Sequence, residues 1–240
     1  MDRQRAAGDG AAPRPRCRRP RDRLPRAHEG PASTAQAALS GATAPSPWFV
    51  RHASLLREAA ELGPIVDLAC GRGRHTLGAA ALGAPSFGID RDSAALEALR
   101  REAQSRGLAS LTMAVRADLE TAGGLPLRAE SCGAVLVFRY LHRPLAPAIC
   151  ALLRPGGLLL YETFTTGQRN LGYGPTNPAF LLAPGELAQL FAPLAIVAFE
   201  EGLSSGERPE ALARLAARRG GSRSALEGPA PRRRPLPALE

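Results

Sequence analysis

The chain has 240 residues, of which 45% are hydrophobic, and this size suits one domain with flanking tails. All 31 basic residues are arginine, which excludes enzymes that rely on a lysine amine. The sequence has no apolar run of the roughly 18 residues that a membrane span needs, so we expect no membrane partner.

The formal net charge of +9 belongs to the two ends of the chain. Residues 1–45 hold nine arginines against four acids and residues 218–240 hold six against two, whereas the charges of residues 46–217 balance. Both ends lack apolar periodicity and are rich in proline, glycine and alanine, which is typical of disordered chain. We therefore predict a disordered leader (1–45), a folded domain (46–217) and a disordered basic tail (218–240), with nucleic-acid binding only through these tails.

The cysteines and histidines show no metal-ligand spacing. Four cysteines and four histidines are scattered along the sequence, so we predict no metal site. Cysteines without a pairing pattern fit a reducing compartment, and we expect a cytoplasmic protein.

The first predicted elements are a helix over residues 48–62 and a buried strand over residues 65–69. The chain then turns at a Cys-Gly-Arg-Gly sequence and continues as a helix over about residues 74–82. Strand, glycine turn and helix in this order place a nucleotide against backbone N–H groups. Thr76 stands where a dinucleotide fingerprint has its third glycine, which disfavours a nicotinamide cofactor.

A second strand is predicted over residues 85–90 and ends at Asp90, 23 positions after Asp67. This spacing fits one strand–helix–strand unit, and a carboxylate at the tip of the second strand can accept two hydrogen bonds from a ribose. Asp92 can cap the next helix, over residues 93–106, which leaves Asp90 free for the ribose.

A third strand is predicted over residues 111–117, and the apolar residues 132–138 predict the central fourth strand. Ligands of parallel sheets bind outside the carboxyl ends of the strands, so residues 139–144 are candidates for the binding site. A helix over residues 145–153, an Arg-Pro-Gly-Gly turn and a fifth strand over residues 158–164 follow.

The last third of the domain begins with a predicted loop over residues 162–178, long enough to act as a lid or a binding loop. A helix over residues 184–191 and a strand over residues 194–199 come next. The alanine content of residues 208–217 favours a helix.

Two stretches resemble the class I S-adenosylmethionine-dependent methyltransferases: the Asp-Leu-Ala-Cys-Gly-Arg-Gly stretch from Asp67, similar to motif I, and the Leu-Arg-Pro-Gly-Gly-Leu-Leu-Leu stretch from Leu153. The Arg-Tyr-Leu-His-Arg-Pro and Glu-Thr-Phe-Thr segments are similar to a bacterial subgroup labelled tellurite-resistance-type methyltransferases. The resemblance implies an α/β fold, a Rossmann-like doubly wound, mostly parallel seven-stranded sheet with helices on both faces. It also implies an antiparallel strand at residues 208–217, and a first helix that either closes over the cofactor or simply covers the sheet.

The resemblance further implies S-adenosyl-L-methionine as the cofactor. In the family the glycine turn passes under the methionine part of the cofactor, and an acid after the third strand lies beside the adenine. Carried onto this sequence, the predicted cofactor-binding residues are Asp67, Ala69, Cys70, Gly71, Gly73, Asp90, Arg91, Asp118, Leu119 and Phe138.

Methyl transfer is an in-line displacement, so such an enzyme mainly aligns donor and acceptor and excludes water. A base is needed only for an acceptor that must lose a proton, and Tyr140, His142 and Glu162 are the candidates by position. His142 could equally cap the following helix. Arg139 and Tyr173 are the candidate substrate-binding residues, although Arg139 could equally pair with Glu162.

The acceptor class follows from a missing signature. Methyltransferases that act on adenine or glutamine carry Asn/Asp-Pro-Pro-Tyr/Phe after the fourth strand, where this chain has Phe-Arg-Tyr-Leu. This difference argues against N6 methylation of a base. The preferred interpretation is a small-molecule methyl acceptor, with an anion as one option. The alternative is a catalytically silent nucleotide-binding module that the arginine-rich tails tether to RNA.

Overall fold

The computed structural model describes residues 44–121, 125–205 and 207–220. The predicted leader and basic tail lie almost entirely outside these residues. Seven strands are described: β1 (Ile65–Leu68), β2 (Ser86–Asp90), β3 (Thr112–Arg116), β4 (Cys132–Phe138), β5 (Leu153–Phe164), β6 (Ala195–Leu203) and β7 (Ala211–Arg218). The helices are α1 (Pro47–Arg51), α2 (Ala53–Ala60), α3 (Arg74–Ala81), α4 (Ser93–Ser105), α5 (Ala146–Leu152) and α6 (Glu186–Leu190). No helix within the described ranges is long and apolar enough to cross a membrane.

The seven strands form one sheet in the order β3-β2-β1-β4-β5-β7-β6. All neighbouring pairs are parallel except those of β7, which runs antiparallel to both β5 and β6. This arrangement confirms the predicted seven-stranded, doubly wound sheet. It also settles residues 208–217 in favour of a strand, because seven consecutive residues of β7 pair with β5.

The strand order reverses between β1 and β4. The chain leaves β1 toward β2 and β3 on one side, then returns to β4 on the other side of β1. Leu68 lies opposite both Ile89 and Val137, so β1, β2 and β4 end at the same edge of the sheet. Such a switch point opens a crevice in which doubly wound proteins bind ligands.

Helices cover both faces of the sheet. Val135 and Val137 of β4 belong to an apolar cluster that includes residues of α5 and α6. The alternating Leu136 and Phe138 belong to a second cluster that includes Trp48 of α1 and residues of α2. Burial on both faces explains why β4 is an unbroken apolar run in the sequence.

The predicted helix over residues 48–62 is two helices that meet at His52. Ser46 caps α1 by accepting a hydrogen bond from the Phe49 N–H at 3.2 Å. At His52 the backbone leaves helical values (φ −104°, ψ 18°), and its ring packs on the Trp48 ring with centroids 4.2 Å apart. The packing of α1 and α2 against the second cluster makes this segment a cover of the sheet.

Two predicted irregular segments have more structure than expected. The Arg-Pro-Gly-Gly turn forms the irregular start of β5, where Gly156 adopts φ +83° and its N–H donates to the Arg219 carbonyl at 2.9 Å. The predicted loop over residues 162–178 contains the 3₁₀ turn Thr166–Leu171 and is followed by another at Pro178–Phe180. Both turns lie between Thr165 and Leu182, which pair in an isolated bridge.

Candidate active site

The turn between β1 and α3 has three residues in the left-handed region: Ala69 (φ 53°), Gly71 (φ 53°) and Gly73 (φ 74°). A Cβ on Gly73 would stand 2.4 Å from a methyl carbon of Leu99, so the close packing of α4 requires glycine there. A Cβ on Gly71 would meet no atom within 4 Å. The turn therefore presents bare backbone to open space, as a loop that lies against a ligand must.

Asp67 fastens this turn to the sheet. Its side chain is 2% exposed, and its Oδ2 accepts hydrogen bonds from the Thr76 N–H at 3.0 Å and the Thr76 hydroxyl at 2.7 Å. Burial raises the pKa of Asp67 to about 7, and the bonds from Thr76 oppose the rise. Thr76, which replaces the third fingerprint glycine, thus anchors the first turn of α3.

Asp90 holds the same turn from the tip of β2. Its Oδ2 accepts from the Gly71 N–H at 2.7 Å, and its Oδ1 accepts from the Asp92 N–H at 2.9 Å. Asp92 caps α4, as predicted, by accepting from the Ala94 N–H at 2.8 Å. Asp90 is therefore not wholly free as expected, although each carboxylate oxygen has a second lone pair for another donor.

A cavity of about 410 Å³ opens at the carboxyl ends of the central strands. Its lining brings together five of the predicted cofactor-binding residues with the predicted Arg139 and Tyr140, which follow β4. The lining residues are Ala69, Asp90, Arg91, Ala117, Asp118, Leu119, Glu120, Arg139, Tyr140, Leu141, Thr163, Phe164, Pro175 and Phe180.

The other predicted residues lie off the cavity wall. Asp67, Gly71 and Gly73 shape the turn. Cys70 is half-buried, and burial raises the pKa of its thiol. Phe138 faces α3, where its ring stacks on His75 with centroids 3.6 Å apart, so it packs in the core and does not line the cavity.

Tyr140 is the candidate proton acceptor that lines the cavity. Its hydroxyl is buried and faces the Glu120 carboxylate. Burial raises the pKa of Tyr140, and the carboxylates of Glu120 and Asp118 raise it further. The phenol therefore stays protonated and can donate a hydrogen bond into the cavity.

Glu162 is 1% exposed, and its Oε2 accepts a hydrogen bond from Nε of Arg214 at 2.8 Å. These two residues are directly opposite each other on β5 and β7. Glu162 is a structural ion-pair partner in this arrangement, and it does not line the cavity.

Two further candidates sit away from the cavity wall. His142 is half-buried and makes no capping hydrogen bond to the 3₁₀ turn that follows it. The Tyr173 hydroxyl donates to the Pro209 carbonyl, and the Arg208 guanidinium lies 4.5 Å from the centre of the Tyr173 ring. Tyr173 therefore docks the loop over residues 162–178 onto the segment between β6 and β7.

Arg139 follows β4 in a left-handed conformation, with φ 61°. Its guanidinium forms a bidentate pair with Glu210, at 2.7 Å and 2.6 Å, and lies 3.5 Å from Oε1 of Glu162. The expected pairing with Glu162 is thus present, and Glu210 is a stronger partner that sequence reasoning missed. No local pattern points to Glu210, because 71 positions separate it from Arg139.

Sequence reasoning also missed His75, a buried residue of α3. The Ser46 N–H donates to its Nε2 at 3.1 Å, so that nitrogen carries no proton. Burial lowers the pKa of His75 to about 2, and the positive charges of Arg74 and Arg139 lower it as well. His75 joins the start of α1 to the helix that follows the glycine turn.

We expect acid to destabilise the protein relative to a His75→Gln variant. The unfolded chain takes up a proton on His75 as the pH falls through roughly 6.5, whereas the folded pKa is about 2. Between these values the unfolded state binds more protons, so stability falls by up to about 1.4 kcal/mol per pH unit below 6.5. Urea unfolding of both proteins from about pH 8 to about pH 4.5 measures the difference.

The comparison with the variant is needed because Asp67 has the opposite effect on how the folding stability changes with pH. Its pKa is raised on folding, so the folded state holds a proton that the unfolded state loses, and stability from Asp67 falls as the pH rises toward 7. Both proteins share this contribution, which cancels in the difference. A difference in stability that stays constant over the whole pH range would contradict the assignment to His75.

Comparison with known proteins agrees with this geometry. A family model described as a methyltransferase domain matches residues 65–157. The chain is 39% identical over 109 residues to ribosomal protein L11 methyltransferase from Dechloromonas aromatica. This match covers 44% of this chain and 33% of that protein. The chain thus matches only a third of the length of this curated relative.

Solved structures share the fold. TehB from Haemophilus influenzae has a TM-score of 0.55 at 17% identity, covering 69% of this chain and 62% of TehB. An S-adenosylmethionine-dependent methyltransferase from Mesorhizobium loti has a TM-score of 0.53 at 21% identity, covering 70% of this chain and 97% of that one. Residues 65–157 thus match a methyltransferase-domain family, and the sheet order and these likenesses show that the described chain has the Rossmann-like fold of S-adenosylmethionine-dependent methyltransferases.

Proposed function

We propose that the protein transfers the methyl group of S-adenosylmethionine to a small-molecule acceptor. The observation that carries this proposal is the cavity at the switch point of the sheet, because Ala69, Asp90 and Asp118 reach it from the ends of three neighbouring strands. When bound, S-adenosylmethionine supplies a methyl group on a positively charged sulfonium. The protein's task is then to hold the two reactants in line and to exclude water.

The residues present fit the cofactor. Asp90 has lone pairs free for ribose hydroxyls beyond the two amides that it binds. Oδ1 of Asp118 accepts from the Glu120 N–H at 3.0 Å, which leaves its Oδ2 for the adenine amine. The open side of Gly71 leaves room for the methionine part.

We expect Asp90→Ala to weaken S-adenosylhomocysteine binding by about 1.5–3 kcal/mol, the range for hydrogen bonds to a charged group. The matched control is Asp92→Ala, since Asp92 caps α4 and does not line the cavity. That variant should lose about 1 kcal/mol of stability and keep its dissociation constant. Isothermal titration calorimetry measures both constants, and an unchanged constant for Asp90→Ala would remove the ribose assignment.

A small acceptor is supported by one part of the cavity wall. Leu141, Phe164, Pro175 and Phe180 make this wall largely apolar, and Phe180 is 52% exposed at the surface. Tyr140 donates a hydrogen bond toward the acceptor in this proposal, and no residue has to act as a base for an acceptor that carries a free lone pair.

A protein acceptor is the second candidate, favoured by the 39% identity to the ribosomal protein L11 methyltransferase over 109 residues. Incubation with labelled S-adenosylmethionine separates the two. Label in the low-molecular-weight fraction of a cell extract is the expected result, whereas label in purified ribosomal protein L11 would replace the small acceptor with a protein.

The same labelling assay also tests the alternative function, a catalytically silent nucleotide-binding module that the arginine-rich tails tether to RNA. Cofactor binding without transfer to any extract fraction would favour that alternative. Deleting residues 1–45 would then abolish any salt-sensitive RNA binding, while an active methyltransferase should keep its activity without them.

A further inference from the structure

We propose that Arg139 binds a carboxylate group of the methyl acceptor, and that Glu210 occupies the place of this carboxylate until the acceptor arrives. The proposal rests on the proposed function, because it concerns the acceptor side of the same cavity. It adds the chemical class of the acceptor and a residue that competes with it.

The two carboxylates beside Arg139 differ in how easily they can leave. The Glu162 side chain is 1% exposed and is fixed by Arg214 at 2.8 Å, so its departure would leave charges buried without a partner. The Glu210 side chain is 34% exposed and stands at the start of β7, next to the segment that joins β6 to β7. Glu210 can therefore rotate into water, and Arg139 would keep one carboxylate neighbour.

Arg139 is aimed at the cavity by its backbone and by its neighbours. A non-glycine residue in the left-handed region costs about 1–3 kcal/mol and persists only where the surroundings enforce it. Here the Arg139 N–H donates to the Glu162 carbonyl at 2.8 Å, and the guanidinium lies 4.6 Å from the centre of the Phe164 ring. Phe164 also lines the cavity, so it holds the guanidinium at the cavity wall.

Buried polar atoms mark the same place. The side-chain nitrogen Nε of Arg139 is buried without a hydrogen-bond partner within the described residues, and the buried Tyr140 hydroxyl faces the Glu120 carboxylate. A buried donor without a partner is normally satisfied in the functional state, by water or by a ligand. Both atoms belong to cavity-lining residues, and both can donate to an anionic group.

The bidentate geometry of Glu210 on Arg139 is the geometry in which an arginine binds any carboxylate. A carboxylate on the acceptor would take these two bonds to Nη1 and Nη2 from Glu210, which does not itself line the cavity, and would leave Nε to water or to a second polar group of the acceptor. The apolar body of the acceptor would face Leu141 and Phe180. The acceptor carboxylate would form about as many bonds to Arg139 as Glu210 does. Glu210 therefore competes with the acceptor as a tethered carboxylate, at a local concentration of order millimolar. Removing it should raise the affinity for carboxylates and leave neutral analogues unaffected.

The test uses benzoate and benzamide as probes, since they share shape and differ in charge. Calorimetric titration is performed on the full chain with saturating S-adenosylhomocysteine, for wild type and for Glu210→Gln. We expect benzoate to bind the variant at least about tenfold more tightly than wild type, with benzamide equal in both. Glu210→Ala should repeat the result, and thermal unfolding confirms that both variants are folded.

The control is Glu120→Gln, which removes one negative charge from the cavity wall at a residue whose described partner is Tyr140 and not Arg139. A gain for benzoate in Glu120→Gln as large as in Glu210→Gln would show general electrostatics and overturn the exchange. No gain in Glu210→Gln, or a gain that persists when Arg139→Gln is added, would also overturn it. Failure of wild type to bind S-adenosylhomocysteine would instead refute the proposed function, and the benzoate comparison can still be made without cofactor.

Discussion

Gly71→Val should abolish cofactor binding, with a loss of at least about 100-fold, or 2.7 kcal/mol. Gly71 has φ 53°, a conformation that costs a β-branched residue energy because its Cβ crowds the backbone. The added side chain would also occupy the open space above the turn, where we place the methionine part of the cofactor. Titration of S-adenosylhomocysteine into wild type and variant measures the loss.

A matched control separates backbone strain from blocked binding. Gly107 has φ 68°, nothing lies within 4 Å of its Cβ position, and it follows the far end of α4. Gly107→Val should therefore lose a similar amount of stability while keeping full cofactor affinity. Normal affinity in a folded Gly71→Val protein would mean that the cofactor does not approach this backbone.

The sheet could be predicted because its strands are short apolar runs that end in polar residues. The run 132–138 is buried on both faces, so no polar residue interrupts it and its limits are those of β4. Residues 208–217 were ambiguous because alanine is the best helix former, and the pairing of β7 with β5 and β6 overrides this preference.

That Asp90 and Asp118 meet at one cavity was predictable for a related reason. Asp90 is the last residue of β2 and Asp118 stands two residues after β3, and the carboxyl ends of parallel strands meet at one edge of the sheet. The direction of a side chain that leaves a loop is not set by any periodicity. His142 stands four residues after β4, directly after the cavity-lining Leu141, yet it lies off the cavity wall.

The charged partners of the site were out of reach from the sequence. Glu162 pairs with Arg214, which lies 52 positions further along the sequence. This ion pair forms because β7 lies next to β5 in the sheet. The strand register aligns these charges in a ladder across the sheet: Arg214 of β7 lies opposite Glu162 of β5 on one side and opposite Glu200 of β6 on the other. Arg51 of α1 adds an ion pair with Glu200. The ladder thus connects the helix that covers the sheet to the residue beside Arg139.

Glu162→Ala should lower the free energy of unfolding by about 3 kcal/mol, because it leaves the mostly buried Arg214 without its closest partner. We place the effect at the low end of the usual range since Glu200 remains 3.5 Å from Arg214. Glu162→Gln should lose less, because its amide oxygen can still accept from the arginine. Urea unfolding near neutral pH measures all three proteins.

The control for this prediction is Glu58→Ala, which removes an ion pair of similar length with Arg218, 2.7 Å, from a side chain that is 61% exposed. That variant should change stability by about 0–1 kcal/mol, since water and salt screen the charges of an exposed pair. Equal effects of Glu162→Ala and Glu58→Ala would show that burial adds nothing to the ladder. In that case Glu162 would not be a firmly held carboxylate beside Arg139. The proposed exchange with Glu210 depends on such a neighbour, because Arg139 must keep one carboxylate when Glu210 leaves.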